Sequence, residues 1–183
     1  MLEKHKLTEQ FYIVDKIDKV SAVNTRLLKN HILSHFMMSN RYKDNQYWYM
    51  SEYVKVPYHQ HIQWTQDYLR DHFRIEHDKT LIPKLDFGII LDKKQQSHNR
   101  NLVEPLDLLH APDYTCVYGV DIDDEEQLEV VIHYNDNRRV NRTWHVPLHN
   151  NKFIIFPSMQ RFYISENKSS KLQTILISTY EYI

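Results

Sequence analysis

Apolar positions along the first half of the chain recur at helical spacing, and along the second half they come in short continuous runs. In SAVNTRLLKNHILSHFMM they fall at Val23, Leu27, Leu28, Ile32, Leu33 and Phe36. Steps of three and four predict an amphipathic helix, begun by Ser21 or Asn24. KLTEQFYIVDKI, with Phe11, Ile13 and Ile17, predicts an early strand. After Pro57, HIQWTQDYLRDHFRI places Ile62, Tyr68, Leu69 and Phe73 in partial helical register, a second helix. YWYMSEYVKV, aromatic and β-branched, suits either a strand or an irregular aromatic segment.

From residue 81 the pattern changes. LIPKLDFGIILD, DYTCVYGVDID, QLEVVIHYNDN, RRVNRTWHVPL, NKFIIFPS, RFYISEN and KLQTILISTYEYI are β-prone runs separated by Asn, Asp and Pro. Strands so closely spaced, with no helical pattern between them, predict an antiparallel sandwich or barrel. QLEVVIHY and RTWHVPL, around NDNRRVN, read as a hairpin. The expected fold class is α+β, mainly β: one domain over 1–183, with a strand and helices in 1–80 supporting a jelly-roll barrel in 81–183.

Composition narrows the chemistry. With 42% hydrophobic and 26% charged residues, the chain has enough apolar material for one full core. A formal net charge of −1 gives no basic surplus to attract nucleic acid or an anionic membrane, so neither is expected as partner. The opening MLEKHKLTEQ lacks an apolar signal core, and no window approaches the roughly 20 apolar residues of a membrane span. The expected location is cytoplasmic, or in a particle assembled inside a cell. The single cysteine, Cys116, excludes an internal disulfide and a multi-thiolate zinc site, and its setting in TCV makes it a small core filler. The only glycines, Gly88 and Gly119, cannot build a phosphate-binding glycine loop or a Gly-x-Ser-x-Gly elbow. Turns such as YNDNRR and HNNK fall to Asn and Asp instead, which tolerate left-handed backbone.

The order DFGIILDKKQQSHNR, HAPDYTCVYGVDID, NNKFIIFPS, KLQTILISTY resembles the second half of the iron(II)/2-oxoglutarate-dependent oxygenases, in particular their prolyl-hydroxylase-like branch. The resemblance spans roughly 82–182 and implies a double-stranded β-helix. It also implies a His-x-Asp or His-x-Glu pair after the first of these strands and a histidine shortly after the FPS strand. A cation for the far carboxylate of 2-oxoglutarate belongs near the start of the last strand. Those ligands hold Fe(II) on one face and leave the other positions open.

Carried onto this chain, the pair becomes His98-Asn99-Arg100 and the later histidine becomes Phe162. Arg100 offers no lone pair and keeps its charge, so it repels a metal cation. The cosubstrate position falls at Lys171 or Leu172, with Leu172 expected to point inward. These positions read as vestigial. The implied function is that of a non-catalytic pseudoenzyme with no cofactor, a structural or binding protein that meets protein partners as a homo-oligomer or in a larger assembly. The phrases HAPDYTCVYGV and TYEYI resemble small proteins of tailed bacteriophages, which suggests a virion component. The alternative is an active hydroxylase using Fe(II) and 2-oxoglutarate through His98 and other ligands. A third reading makes Arg100 and Arg161 an anion pocket.

Twelve histidines offer other groupings. His59 and His61 form a His-x-His whose rings are expected to diverge on a helix. His110, with Asp113 and His98, is an alternative pocket. His133, His145 and His149 lie on the hairpin and its return. Asp121, Asp123, Asp124, Glu125 and Glu126 form an acidic turn, a solvated loop or a loose calcium site without the EF-hand glycine. Tyr47, Trp48, Tyr49, Tyr53, Tyr58, Trp64 and Tyr68 suit core packing or a protein contact. Asn141-Arg142-Thr143 and Asn167-Lys168-Ser169 match the glycosylation pattern, which carries little without a secretion signal.

Overall fold

Continuous apolar runs suit strands buried on both faces, and that is where the chain puts them. The computed structural model describes residues 10–41, 53–102, 111–125, 127–135, 139 and 142–183. The early strand is β1 (Ile13–Lys16), followed by helix α1 (Ala22–Arg41), a short β2 (Val54–Val56) and helix α2 (Gln60–His77). The seven β-prone runs all form strands: β3 (Leu81–Leu91), β4 (Tyr114–Asp121), β5 (Leu128–Tyr134), β6 (Arg142–Leu148), β7 (Lys152–Pro157), β8 (Phe162–Ile164) and β9 (Gln173–Tyr182). Tyr47, Trp48, Tyr49, Glu126, His110 and Asn141 lie outside the described residues.

Six strands form one antiparallel sheet in the order β1-β7-β4-β9-β3-β2, and three form a second in the order β6-β5-β8. The predicted hairpin is the β5–β6 pair, with Leu128 opposite Leu148 and Tyr134 opposite Arg142. Pro147 is tolerated because β6 is a sheet edge.

Residues of the large sheet alternate between two cores. Ile90, Cys116, Tyr118, Phe153, Ile155, Leu176 and Tyr180 face the helices. Ile89, Leu91, Val117, Ile154, Phe156, Ile175 and Ile177 face the small sheet, where they meet Val130, Ile132, Val146, Phe162 and Ile164. This second cluster is the barrel interior, and it is packed with hydrocarbon. Cys116 is fully buried in the first cluster, as expected of a filler, and burial pushes its thiol pKa up.

Helix α1 begins at Ser21, whose Oγ accepts from the Val23 amide at 3.2 Å. It buries Leu28 and Ile32, while Val23 and Leu27 lie on its exposed side, a narrower apolar stripe than the spacing suggested. Both glycines serve close approaches. A Cβ on Gly88 would stand 2.4 Å from Ile32 Cγ2 of α1, and one on Gly119 would stand 2.1 Å from the His149 carbonyl oxygen. Among the described residues the left-handed positions fall instead on Asp78, Lys94 and Asn151, the last in the HNNK turn. No helix among the described residues is long and apolar enough to cross a membrane.

Candidate functional site: the barrel mouth

The stretch after β3 crosses to the small sheet and pairs with β8. Arg100 N donates to Phe162 O at 3.0 Å and Phe162 N donates to Arg100 O at 2.8 Å. Directly opposed residues project to the same face of a sheet, so both side chains belong to the barrel side. Phe162 is fully buried and packs edge-on against Phe156, ring centres 5.0 Å apart. The Arg100 guanidinium lies over the Tyr53 ring at 4.4 Å, a cation–π contact at the rim of the interior. Tyr53 is itself buried, and its hydroxyl donates to Ser97 Oγ at 3.3 Å.

His98 does not join them. Ser97 N donates to Ile164 O at 3.1 Å, while Arg100 pairs with Phe162. Three steps along one strand therefore face two along the other, the arrangement of a β-bulge. The extra residue reverses the alternation expected for 98 and 100. Ser97 turns in, buried, and its Oγ accepts from the Ile164 amide at 2.7 Å. His98 and Asn99 are exposed. Asn99 Nδ2 stands 3.0 Å from His133 Nε2. Burial, and then the nearby Arg161 charge, hold His133 below the usual imidazole range. Ser97 is the residue of this mouth that the sequence does not single out, and Tyr53 and His133, read there with the aromatic cluster and the hairpin histidines, are not placed beside it by any motif. Their signal lies in a one-residue strand mismatch that no local motif records.

Arg161 immediately precedes Phe162 and is exposed, with His133 as its neighbour, whereas Arg100 lies over Tyr53. The two cations thus have different surroundings. Leu172 corrects an expectation: it is 46% exposed, and the buried residues at the start of β9 are Gln173 and Thr174. Lys171 points away as well, its Nζ 3.2 Å from Asp123 Oδ1.

The acidic turn is internally partnered. Asp121 pairs with Lys29, and Asp123 accepts from Ser169 Oγ and Lys171 Nζ. Those contacts, Ser169 foremost, hold the Asp123 carboxyl below its ordinary range. Asn167 is buried, its amide donating to the Leu91 and Lys171 carbonyls, so this glycosylation-like triplet is a structural turn. His145 Nδ1 meets Glu129 Oε2 at 2.9 Å, and His149 Nδ1 stands 3.9 Å from Asp124 Oδ1.

His59 and His61 also depart from expectation. His59 is the N-cap of α2, its Nδ1 accepting from the His61 amide at 3.2 Å, and the two rings lie 4.2 Å apart rather than diverging.

The positions that the sequence resemblance assigns to two imidazoles and a carboxylate hold His98, Phe162 and Arg100, of which the imidazole is exposed, the phenyl ring offers no donor, and a guanidinium repels a metal cation.

No family model matches the sequence, and no curated protein matches it. Solved structures do match in shape. A non-heme alpha-ketoglutarate-dependent carbocyclase, SnoK from nogalamycin biosynthesis, aligns over 94% of this chain and 80% of its own, with TM-score 0.64 and 11% identity. A Pseudomonas putida prolyl-4-hydroxylase aligns over 93% of this chain and 87% of its own, at 0.60 and 8%. The viral collagen prolyl hydroxylase of Paramecium Bursaria Chlorella virus-1 aligns over 91% of this chain and 94% of its own, at 0.59 and 11%. Helices stacked on a large sheet, and a small sheet closing the barrel opposite, are thus the double-stranded β-helix fold of the iron(II)/2-oxoglutarate oxygenases.

Proposed function

We propose that this chain keeps the oxygenase fold as a scaffold and works through its surface, as a structural or binding protein without iron chemistry. The observation that carries this reading is Phe162, fully buried in the barrel core on the residue paired with Arg100. A hydrocarbon side chain and a cation then stand where an imidazole and an acid would grip Fe(II). Filling of the interior by Ile89, Val117, Ile132, Ile175 and Ile177 supports it, since a cosubstrate needs space there. The partner class is protein, met by repeated copies of the chain or by a larger shell such as a tailed-phage particle.

The test supplies Fe(II), ascorbate and 2-oxoglutarate to the pure protein and follows succinate. No turnover, no saturable 2-oxoglutarate binding, and elution as an oligomer or with a co-purifying protein are the expected results. Succinate formed in stoichiometric excess over protein would restore the active oxygenase.

A further inference from the structure

The packing of α1 against the start of α2 gathers four imidazoles that the two helices carry separately. His31 and His35 sit one turn apart on α1, and His59 and His61 open α2. The His31 ring centre lies 4.7 Å from that of His35, 4.8 Å from His59 and 6.0 Å from His61. Two imidazoles bound to one tetrahedral zinc, with Zn–N of about 2.0–2.1 Å, hold their ring centres about 5 Å apart. All four residues are half-buried.

The hydrogen bonds fix which nitrogens are available. His31 Nε2 faces the Pro57 carbonyl at 3.3 Å, and a carbonyl only accepts, so the proton sits on Nε2 and the lone pair on Nδ1. A ring N–H held by a backbone carbonyl is the usual way a metal-binding histidine is oriented. His59 Nδ1 is engaged as the helix cap, which leaves that ring in a supporting place. As the rings stand, no three donors converge in metal-ligand geometry among the described residues. An ion has to draw them together by rotation of the side chains.

We propose that this seam is a binding site for a borderline divalent transition-metal ion of the zinc class, held by His31 Nδ1 with His35 and His61 and completed by water. An all-imidazole donor set selects zinc, copper, nickel or cobalt over magnesium or calcium. The bound ion pins α1 to the first turn of α2. The site shares no residue with the barrel mouth and stands or falls independently of the reading given for it.

The experiment uses the untagged full chain. Zinc is titrated calorimetrically and cobalt(II) is followed by its visible ligand-field bands. One ion per chain, micromolar or tighter, with nitrogen-type tetrahedral cobalt bands and a higher melting temperature on zinc addition, is expected. His31→Asn and, separately, His35→Asn weaken binding by about tenfold or more, with melting of the metal-free variants recorded to establish folding. His145→Asn leaves affinity unchanged. Absence of saturable binding overturns the site, as does binding that survives both α1 variants or is lost on His98→Asn.

Discussion

Arg100 and Phe162 exchange both backbone hydrogen bonds across the small sheet, one residue holding its cation over Tyr53 and the other buried against Phe156. The sequence resemblance assigns an acid and an imidazole to these two positions, where the chain has a guanidinium and a phenyl ring. Substituting Arg100→Asp together with Phe162→His, in a His31→Asn background to silence the helix seam, supplies an acid and an imidazole on facing positions. Anaerobic titration with Fe(II) and 2-oxoglutarate is expected to show at least about a tenfold gain in affinity over the His31→Asn parent. An unchanged isotherm would reject the correspondence of these positions to the oxygenase ligands.

Phe162 is also a structural residue. Truncating a fully buried phenylalanine removes its transfer free energy and leaves a cavity, so Phe162→Ala is expected to cost about 3–5 kcal/mol in urea unfolding. Phe162→Leu, which keeps most of the volume, should cost much less. Equal losses would mean that the ring fills no defined space.

Asp86 gives the fold a pH dependence. It is buried where α2 packs on the large sheet, accepting from both Gln66 Nε2 and Ser178 Oγ. Burial pushes its carboxyl above the ordinary aspartate range, against the opposing effect of those two hydrogen bonds, Ser178 and then Gln66. The folded chain therefore holds this proton at pH values where the unfolded chain has lost it. The stabilisation is complete below the unfolded pKa and declines as pH rises through the folded one. Asp86→Asn should abolish that decline and add about 1 kcal/mol near neutral pH, where no buried charge then has to be solvated. Parallel stability curves for the two proteins across this window would disprove it.

The two glycines should respond unequally to alanine. At Gly119 the obstruction is the His149 backbone carbonyl, which cannot swing aside, whereas at Gly88 it is the Ile32 side chain. Gly119→Ala is expected to cost about 3 kcal/mol or more and Gly88→Ala less, by chemical denaturation. The reverse order would show that α1 is seated more rigidly than the β6–β7 turn.

The Cys116 thiol, fully buried with its ionisation suppressed, is expected to resist a disulfide-exchange reagent in the native protein and to react on unfolding. Rapid native labelling would place it at an opening that the packing does not contain.

The strands were legible because the large sheet is covered on both sides, which turns each run such as YTCVYGV or FIIFP into an unbroken apolar word. Helix α1 was legible from Leu28 and Ile32, though its apolar stripe is narrower than the spacing implied. The candidate site positions carry no orientation in the sequence. Whether His98 faces in or out depends on a single extra residue between Ser97 and Arg100, set by the distant Ile164, and no window of the sequence contains both partners. Likewise, counting along the strand places Leu172 inward, whereas the buried register begins one residue later, at Gln173. His59 and His61 were expected to splay apart as helix residues, but His59 lies just outside the helix as its cap.

Neighbouring residues of β7 and β9 belong to different cores, Phe153 and Leu176 on one side, Ile154 and Ile175 on the other. The large sheet is thus a party wall, and neither room can be gutted while the other stands. Heat or denaturant should meet a single cooperative transition, with spectroscopic signals from the helices and from the small sheet lost together.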